Sequence, residues 1–418
     1  MIPANCSRMA RTPQPTPSLT SNPADVAAAL QMGGLVLFPT ETLWVVCAHA
    51  ADATAMQALR EAIEQLGAKY LAQHGSPPVG RAAWFAPSVA GVRHALTDEP
   101  HESHESDGTV AGTLLSPLHS RALDKLLPGP VALDIEQPGR SLVTILQHAG
   151  TLHSAAAPGG QQGTSVLVTV PAGAAARAIL TAAAGAGVQV VGGWVTVPGI
   201  HDARTSELTL SALANVGVVP TVVFDPSAHP DHAPPAGEPP TVLVLTARGG
   251  WALESAGLLP EREVERRMRR RVLFVCTGNT CRSPMAQAIA SGVAARMILR
   301  VPTDFVSAGL AASSTSPFSP ETRGAVERLG FDPPRGTSRA LSEEMLNEAD
   351  AVFVMTRSHL RGVTAMAPHA ATKVQLLDRA DGEVTDPVGG PQALYDSTAR
   401  AILPMVERRL AELEVHRP

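Results

Sequence analysis

The sequence predicts a two-domain protein of the α/β class. Three observations carry that prediction. The chain has 418 residues, more than one hydrophobic core usually organises. Short apolar runs rich in β-branched residues alternate with Ala-rich stretches of helical spacing. A charged run, E-R-E-V-E-R-R-M-R-R-R over 261–271, separates two such series. Hydrophobic residues make up 44% and charged residues 17%, so the chain can fill its cores and is not disordered as a whole.

Residues 1–22 are rich in Pro, Ser and Thr and lack an apolar core segment. They read as a flexible tail, not a signal peptide. A short helix is expected over 23–31, with Asn22 or Asp25 near its start. A buried strand follows at 35–38, a turn at 39–42, and helical spacing over 52–66. Residues 101–108 form a polar, acidic stretch. Its His101 and His104 could bind metal, but no Cys or third His lies nearby, and a solvated loop explains them better. A turn at 126–130, a strand at 165–170, a helix at 172–184 and a strand at 188–191 come next. The most apolar stretch, 178–200, contains Gln189, several Gly and Pro198. A helix end followed by a buried strand fits it better than a membrane span. Residues 225–240 are a Pro-rich loop and 241–246 a strand. The charged run reads as a helical linker with Glu–Arg pairs on its surface, in preference to a nucleic-acid or membrane patch. The expected organisation is therefore a tail at 1–22, a domain at 23–260, a linker at 261–270 and a domain at 271–418.

The net charge of −5 demands neither a nucleic-acid nor a membrane partner. The four cysteines, Cys6, Cys47, Cys276 and Cys281, are too few for a disulfide framework and fit a reducing cytoplasm.

The strongest chemical signal begins at 272–275, a short apolar strand. It runs into C-T-G-N-T-C-R-S-P, residues 276–284, and an Ala-rich helix is expected from Met285. Strand, tight loop and helix make a phosphate-binding arrangement. Loop N–H groups point inward, and the helix N-terminus adds partial positive charge. Gly278 permits the close turn and Pro284 suits the first helical turn. Cys276 faces donors that favour a thiolate nucleophile. Arg282 can bind two phosphoryl oxygens through its planar fork. The backbone of Thr277, Gly278, Asn279, Thr280, Cys281 and Arg282 forms the cradle. Ser283 can donate a hydrogen bond to the thiolate, and Asn279 can brace the loop. A phosphocysteine mechanism also needs a general acid that later activates water. Asp386, in V-T-D-P-V-G-G-P, is the candidate. Its other reading is a plain turn aspartate. No metal or cofactor is called for.

Residues 271–418 resemble the low-molecular-weight protein phosphatases. The resemblance rests on the C-x5-R-S loop, S-A-G at 307–309 and A-D-A-V-F-V-M-T at 349–356. Asp386-Pro387 and Tyr395 complete it. It implies a flavodoxin-like, four-stranded parallel sheet with flanking helices and a phosphorylated protein as substrate. Members act on phosphotyrosine, on phosphoarginine or, with extra cysteines, as arsenate reductases. No Cys follows Cys281, which argues against the last. Phosphotyrosine pockets usually have aromatic walls. This chain has Val388 after Asp-Pro and no aromatic over 311–316, and Thr280 stands where many tyrosine-type members carry a bulky aliphatic. These features favour phosphoarginine. Cys281 either packs inside the loop or forms a reversible disulfide with Cys276 that shields the nucleophile.

Residues 23–260 resemble the YrdC family of threonylcarbamoyl-adenylate synthases. The matching stretches are G-G-L-V-L-F-P-T-E-T at 33–42, L-P-G-P at 127–130, S-V-L-V-T-V-P at 165–171, T-V-L-V-L-T at 241–246 and A-G-L-L at 256–259. The resemblance implies a twisted open sheet with helices and a link to ATP, threonine and tRNA modification. Ile63 and Gln65 stand where the family carries two anion-binding cations, with Arg81 and Lys69 as the alternatives. Trp194 falls in a ligand-binding stretch, and Pro240 replaces a Ser. Either the domain is an active synthase with shifted ligands, or it is a degenerate copy kept for binding or scaffolding. The second reading is favoured.

Overall fold

The computed structural model describes residues 16–74, 81–97, 115–136, 153–156, 162–195, 205–228, 233–313, 315–380 and 382–415. His101 and His104 lie outside these residues, as do most of the expected tail and the side chain of Lys69. The chain divides into two compact units, Met1–Glu265 and Arg266–Pro418.

The first unit is built on one mixed sheet. Its strands are β1 (Ser18–Thr20), β2 (Val36–Pro39), β3 (Trp44–His49), β4 (Ala83–Phe85), β5 (Val131–Glu136), β6 (His153–Ala156), β7 (Gln162–Thr169), β8 (Val190–Trp194), β9 (Val222–Phe224), β10 (Thr241–Leu245) and β11 (Trp251–Ser255). They lie in the order β1-β9-β2-β3-β8-β4-β7-β5-β10-β11, with β6 beside β7. Helices Pro23–Gln31 and Ala174–Gly185 bury Val26, Leu30, Ile179 and Leu180 with Val36 and Phe38 of β2. Asn22 caps the first helix by accepting from the Ala24 N–H at 3.1 Å. Ser18–Thr20 fall inside the stretch expected to be a tail. They form a parallel edge strand on Val222–Phe224 instead, because backbone pairing needs no apolar side chain: Leu19 is 69% exposed.

The charged run folds as helix Glu261–Met268, which leads into the second unit. Its cations find acidic partners. Arg266 and Arg271 pair with Glu348, Arg269 with Asp304, and Arg270 with Glu414.

The second unit has four parallel strands, β12 (Arg270–Cys276), β13 (Thr303–Gly309), β14 (Ala351–Val354) and β15 (Val374–Leu376), in the order β13-β12-β14-β15. Side chains of β12 alternate between two cores. Val272, Phe274 and Cys276 pack on one face with Ile289, Ala399 and Ile402 from helices Arg282–Arg296 and Gln392–Val415. Leu273 and Val275 pack on the other with Leu346 and Val363. A strand covered on both faces must be apolar throughout, which is why 272–275 reads as a continuous hydrophobic run. The chain reverses strand order at β12, so the carboxyl end of this strand opens on a crevice.

Gly309 ends β13 directly against that opening. A Cβ there would lie 2.5 Å from the Thr277 carbonyl oxygen, 2.8 Å from the Asn279 nitrogen and 2.9 Å from Ala312 Cβ. Two of those neighbours are backbone and cannot swing aside. Gly309→Ala should therefore destabilise this unit by about 1–3 kcal/mol, the usual scale of overpacking. Urea unfolding followed by circular dichroism measures it, and an unchanged midpoint would mean that the loop yields freely.

Candidate active site

The end of β12 delivers Cys276 to the crevice with its thiol 3% exposed. Residues 277–281 form the loop, and helix Arg282–Arg296 starts immediately after it. The backbone N–H groups of 277–281 donate to no protein acceptor among the described residues. Buried or half-buried donors are costly to leave without an acceptor, and a cluster of them suits an anion. The partial positive charge of the helix N-terminus lies on the same loop. Arg282 adds a side-chain donor: it is 4% exposed, and its Nε is buried with no partner. Its Nη1 donates to the Val384 carbonyl at 3.4 Å. Its Nη2 donates to Thr277 Oγ1 at 3.3 Å and to Asp386 Oδ2 at 2.5 Å.

The loop is braced from beneath. Asn279 is fully buried and holds a left-handed backbone conformation, φ 53°. Its Nδ2 donates to Ser283 Oγ at 2.9 Å, and its Oδ1 accepts from the Arg339 N–H at 2.9 Å. Asparagine tolerates this conformation better than most side chains. The expected role of Gly278 thus passes to its neighbour. Gly278 is not in the left-handed region, and a Cβ on it would meet only Thr280 Oγ1, at 3.7 Å. Ser283 Oγ lies 3.0 Å from Cys276 Sγ and 3.3 Å from the Ala308 carbonyl oxygen, so it joins the nucleophile to β13.

Thr280 anchors the loop outward, its carbonyl accepting from the Ser319 N–H at 3.1 Å. Cys281 packs inward. Its sulfur lies 3.6 Å from Tyr395 Oη, 3.7 Å from Ser319 Oγ and 3.5 Å from Thr280 Oγ1. Burial and the contact with Cys281 push the Tyr395 phenol up to about 12, so it stays protonated. Asp386 is brought to the site by the Arg282 ion pair, with its side chain 43% exposed and its Oδ1 accepting from the Val388 N–H at 3.3 Å. Every residue expected at the site is therefore collected around one loop. One residue was not anticipated. His359, in helix Arg357–Met366, places Nε2 2.8 Å from Thr277 Oγ1. The only hint in the sequence is T-R-S-H following the strand at 351–354, a pattern that an N-cap Thr explains by itself.

Among the described residues, no group of three or more His, Cys, Asp and Glu could hold a metal ion, and no helix is long and apolar enough to cross a membrane.

Comparison with known proteins matches residues 271–417 to the family described as low molecular weight phosphotyrosine protein phosphatase. Over 148 residues the chain is 37% identical to a protein-arginine-phosphatase of Bacillus subtilis (strain 168), covering 34% of this chain and 94% of that protein. Over 149 residues it is 31% identical to a protein-arginine-phosphatase of Geobacillus stearothermophilus, with 34% and 96% covered. A low molecular weight protein-tyrosine-phosphatase, PtpB of Staphylococcus aureus, is 32% identical over 142 residues, with 32% and 94% covered.

In the resting site Asp386 competes with any incoming anion for Arg282. Asp386→Ala should tighten binding of inorganic phosphate about twofold to fivefold, the scale of a half-exposed ion pair worth up to about 1 kcal/mol. Isothermal titration reads this directly. Weaker binding in the variant would mean that the carboxylate helps to hold the anion.

Proposed function

We propose that this chain, which belongs through residues 271–417 to the low molecular weight phosphotyrosine protein phosphatase family, is a protein-arginine phosphatase working through a phosphocysteine on Cys276. The observation that carries the phosphatase reading is the set of unpaired donors, loop N–H groups and Arg282 Nε, gathered beside a buried thiol. They suit the three peripheral oxygens of a phosphoryl group in transfer.

In this reading Cys276 attacks phosphorus as a thiolate, and Ser283 donates to the sulfur. The bond from phosphorus to the leaving nitrogen breaks, and Asp386, which has left Arg282 and taken up a proton from solvent, gives that proton to the nitrogen. The peptidyl guanidinium leaves. Asp386, now a carboxylate, takes a proton from water, which attacks the phosphocysteine and releases orthophosphate and the thiolate. Asp386 must leave Arg282 to do this, and its exposure permits the movement.

The preference for phosphoarginine rests on what lines the site. The aromatic residues of 266–418 are Phe274, Phe305, Phe318, Phe331, Phe353 and Tyr395, and none stands exposed. Tyr395 is turned inward onto Cys281, and Val388, beyond Asp386, is 66% exposed. A phenyl ring would find no aromatic wall, whereas a guanidinium finds a carboxylate at Asp386 and a small hydroxyl at Thr280. The names of the Bacillus and Geobacillus relatives agree with this choice.

For the first unit we propose a YrdC-like module that no longer makes threonylcarbamoyl-AMP. Ile63, at the position expected for a cation, is 4% exposed and packs under Gly193, where a Cβ would come within 2.4 Å of it. Trp194 is buried against Phe85, with ring centroids 5.1 Å apart. The half-open pocket lined by Thr40, Glu41, Thr42, Phe85 and Trp194 is small, with about 10 Å³ open to a water-sized sphere. Arg81, a possible substitute cation, is held by Asp134 at 2.7 Å and by Glu254 at 2.5 Å.

Two measurements test these readings. Peptides carrying phosphoarginine should be hydrolysed in preference to phosphotyrosine peptides, and Cys276→Ser should abolish turnover of both while the fold persists. A phosphotyrosine preference would keep the mechanism and discard the pocket assignment, and full activity in the variant would discard the mechanism. The full chain should show no threonine- and bicarbonate-dependent release of pyrophosphate from ATP. Release at enzymatic rates would restore the synthase reading.

A further inference from the structure

One buried ionisable side chain at the site has no part in the steps above. His359 is 6% exposed, and both its ring nitrogens are engaged. Nε2 lies 2.8 Å from Thr277 Oγ1, and Nδ1 lies 2.9 Å from Thr356 Oγ1. Thr356 is itself pinned as the N-cap of the helix, accepting from the His359 N–H at 3.2 Å. The ring is thus clamped at one end to the start of helix Arg357–Met366 and at the other to the first residue of the phosphate loop.

Thr277 Oγ1 also accepts from Arg282 Nη2 at 3.3 Å. A hydroxyl oxygen has two lone pairs and one proton. If His359 Nε2 accepts, the Thr277 proton goes to it and both lone pairs remain. If Nε2 donates, one lone pair is used and one remains. Either tautomer leaves an acceptor for Arg282 and fixes the direction of the Thr277 side chain. Without His359 the hydroxyl of Thr277, an exposed loop residue, is free to rotate away.

The other partner of Nη2 is Asp386, which is half-exposed and is needed at the leaving group. When Asp386 departs, Thr277 is the anchor that stays on this nitrogen. We propose that His359 is a positioning residue which, by clamping the Thr277 hydroxyl, holds the Arg282 guanidinium in the orientation that receives phosphate. This rests on Arg282 being the phosphate clamp. Burial, and then the nearby positive charge of Arg282, hold the imidazole below its ordinary range. The carboxylates of Asp386 and Glu383 oppose that shift without reversing it. A neutral ring therefore does the clamping at neutral pH.

The test uses the full chain, an aryl phosphate substrate and inorganic phosphate as the binding probe. His359→Ala should lower kcat/KM about tenfold and weaken phosphate binding by a similar factor, with binding normalised to the folded fraction from circular dichroism. His359→Gln, which retains a neutral hydrogen-bonding head, should recover most of both. Thr277→Val should reproduce the loss, and adding His359→Ala to it should cause little further change. Thr277→Val changes an exposed position, so this arm stands even if His359→Ala unfolds. Unchanged phosphate affinity in folded His359→Ala, or losses that multiply in the double variant, would overturn the relay while leaving the phosphatase reading intact. If Arg282→Ala leaves phosphate affinity unchanged, the clamp reading fails and the relay fails with it.

Discussion

The second unit is organised around a group of backbone donors that the protein leaves without acceptors. An N–H denied both water and a partner costs on the order of 1–3 kcal/mol, so a fold rarely tolerates several in one place. Here the surrounding structure keeps protein acceptors away from the N–H groups of 277–281 among the described residues. Asn279 is locked in a left-handed conformation by bonds to Ser283 and to the backbone of Arg339. Gly309 lets β13 approach within a distance that no side chain would allow. Thr280 is pulled outward by Ser319. Each of these contacts fixes the path of the loop beside Cys276. The two cores on either face of β12 keep the strand straight and buried, and that fixes where its last residue emerges.

The first unit resolves a similar opportunity in the opposite way. Its helix Ala174–Gly185 also begins after a strand and a short turn. The donors ahead of it are occupied: Glu41 accepts from the Ala172 N–H at 3.0 Å and from the Gly173 N–H at 3.2 Å. A carboxylate built into the chain neutralises the helix terminus and bars an external anion. Trp194 and Ile63 fill the adjacent space, which supports the proposal that the P-T-E-T turn serves packing. These two strand-to-helix turns thus differ, one closed by its own glutamate and one open beside a thiol.

How much of this was legible in the sequence follows from what each residue does. The run at 272–275 was readable because burial on two faces leaves a one-dimensional trace, and Cys276 and Arg282 were readable because their spacing reflects loop geometry. The strands Trp44–His49 and Val131–Glu136 were not anticipated, since each carries a polar or charged residue at its end and follows a turn that already explained the local pattern. Asn279 was read as a brace but not as the left-handed residue. Glycine is the default for that conformation, and the bond to Arg339, 60 positions away, reveals the exception. His359 was invisible for the same reason: its partner Thr277 lies 82 positions away.

In the proposed mechanism the ion pair between Arg282 and Asp386 ties these features to turnover. In the resting site the Arg282 guanidinium and the Asp386 carboxylate satisfy each other, so neither charge is left bare in a half-buried crevice. In that mechanism an arriving phosphoryl group would replace the carboxylate on Arg282, and the same exchange would free Asp386 beside the leaving group. On that reading binding releases a carboxylate that takes up a proton before it serves as the acid, and product departure lets the pair re-form. Such an exchange requires that the guanidinium stay in place while its partner changes. Nη1 on the Val384 carbonyl and Nη2 on Thr277 provide that, one from the chain approaching Asp386 and one from the loop itself. The arginine is thus held by neutral oxygens and balanced by a mobile charge, which lets one side chain serve the resting enzyme and the transferring phosphoryl group in turn.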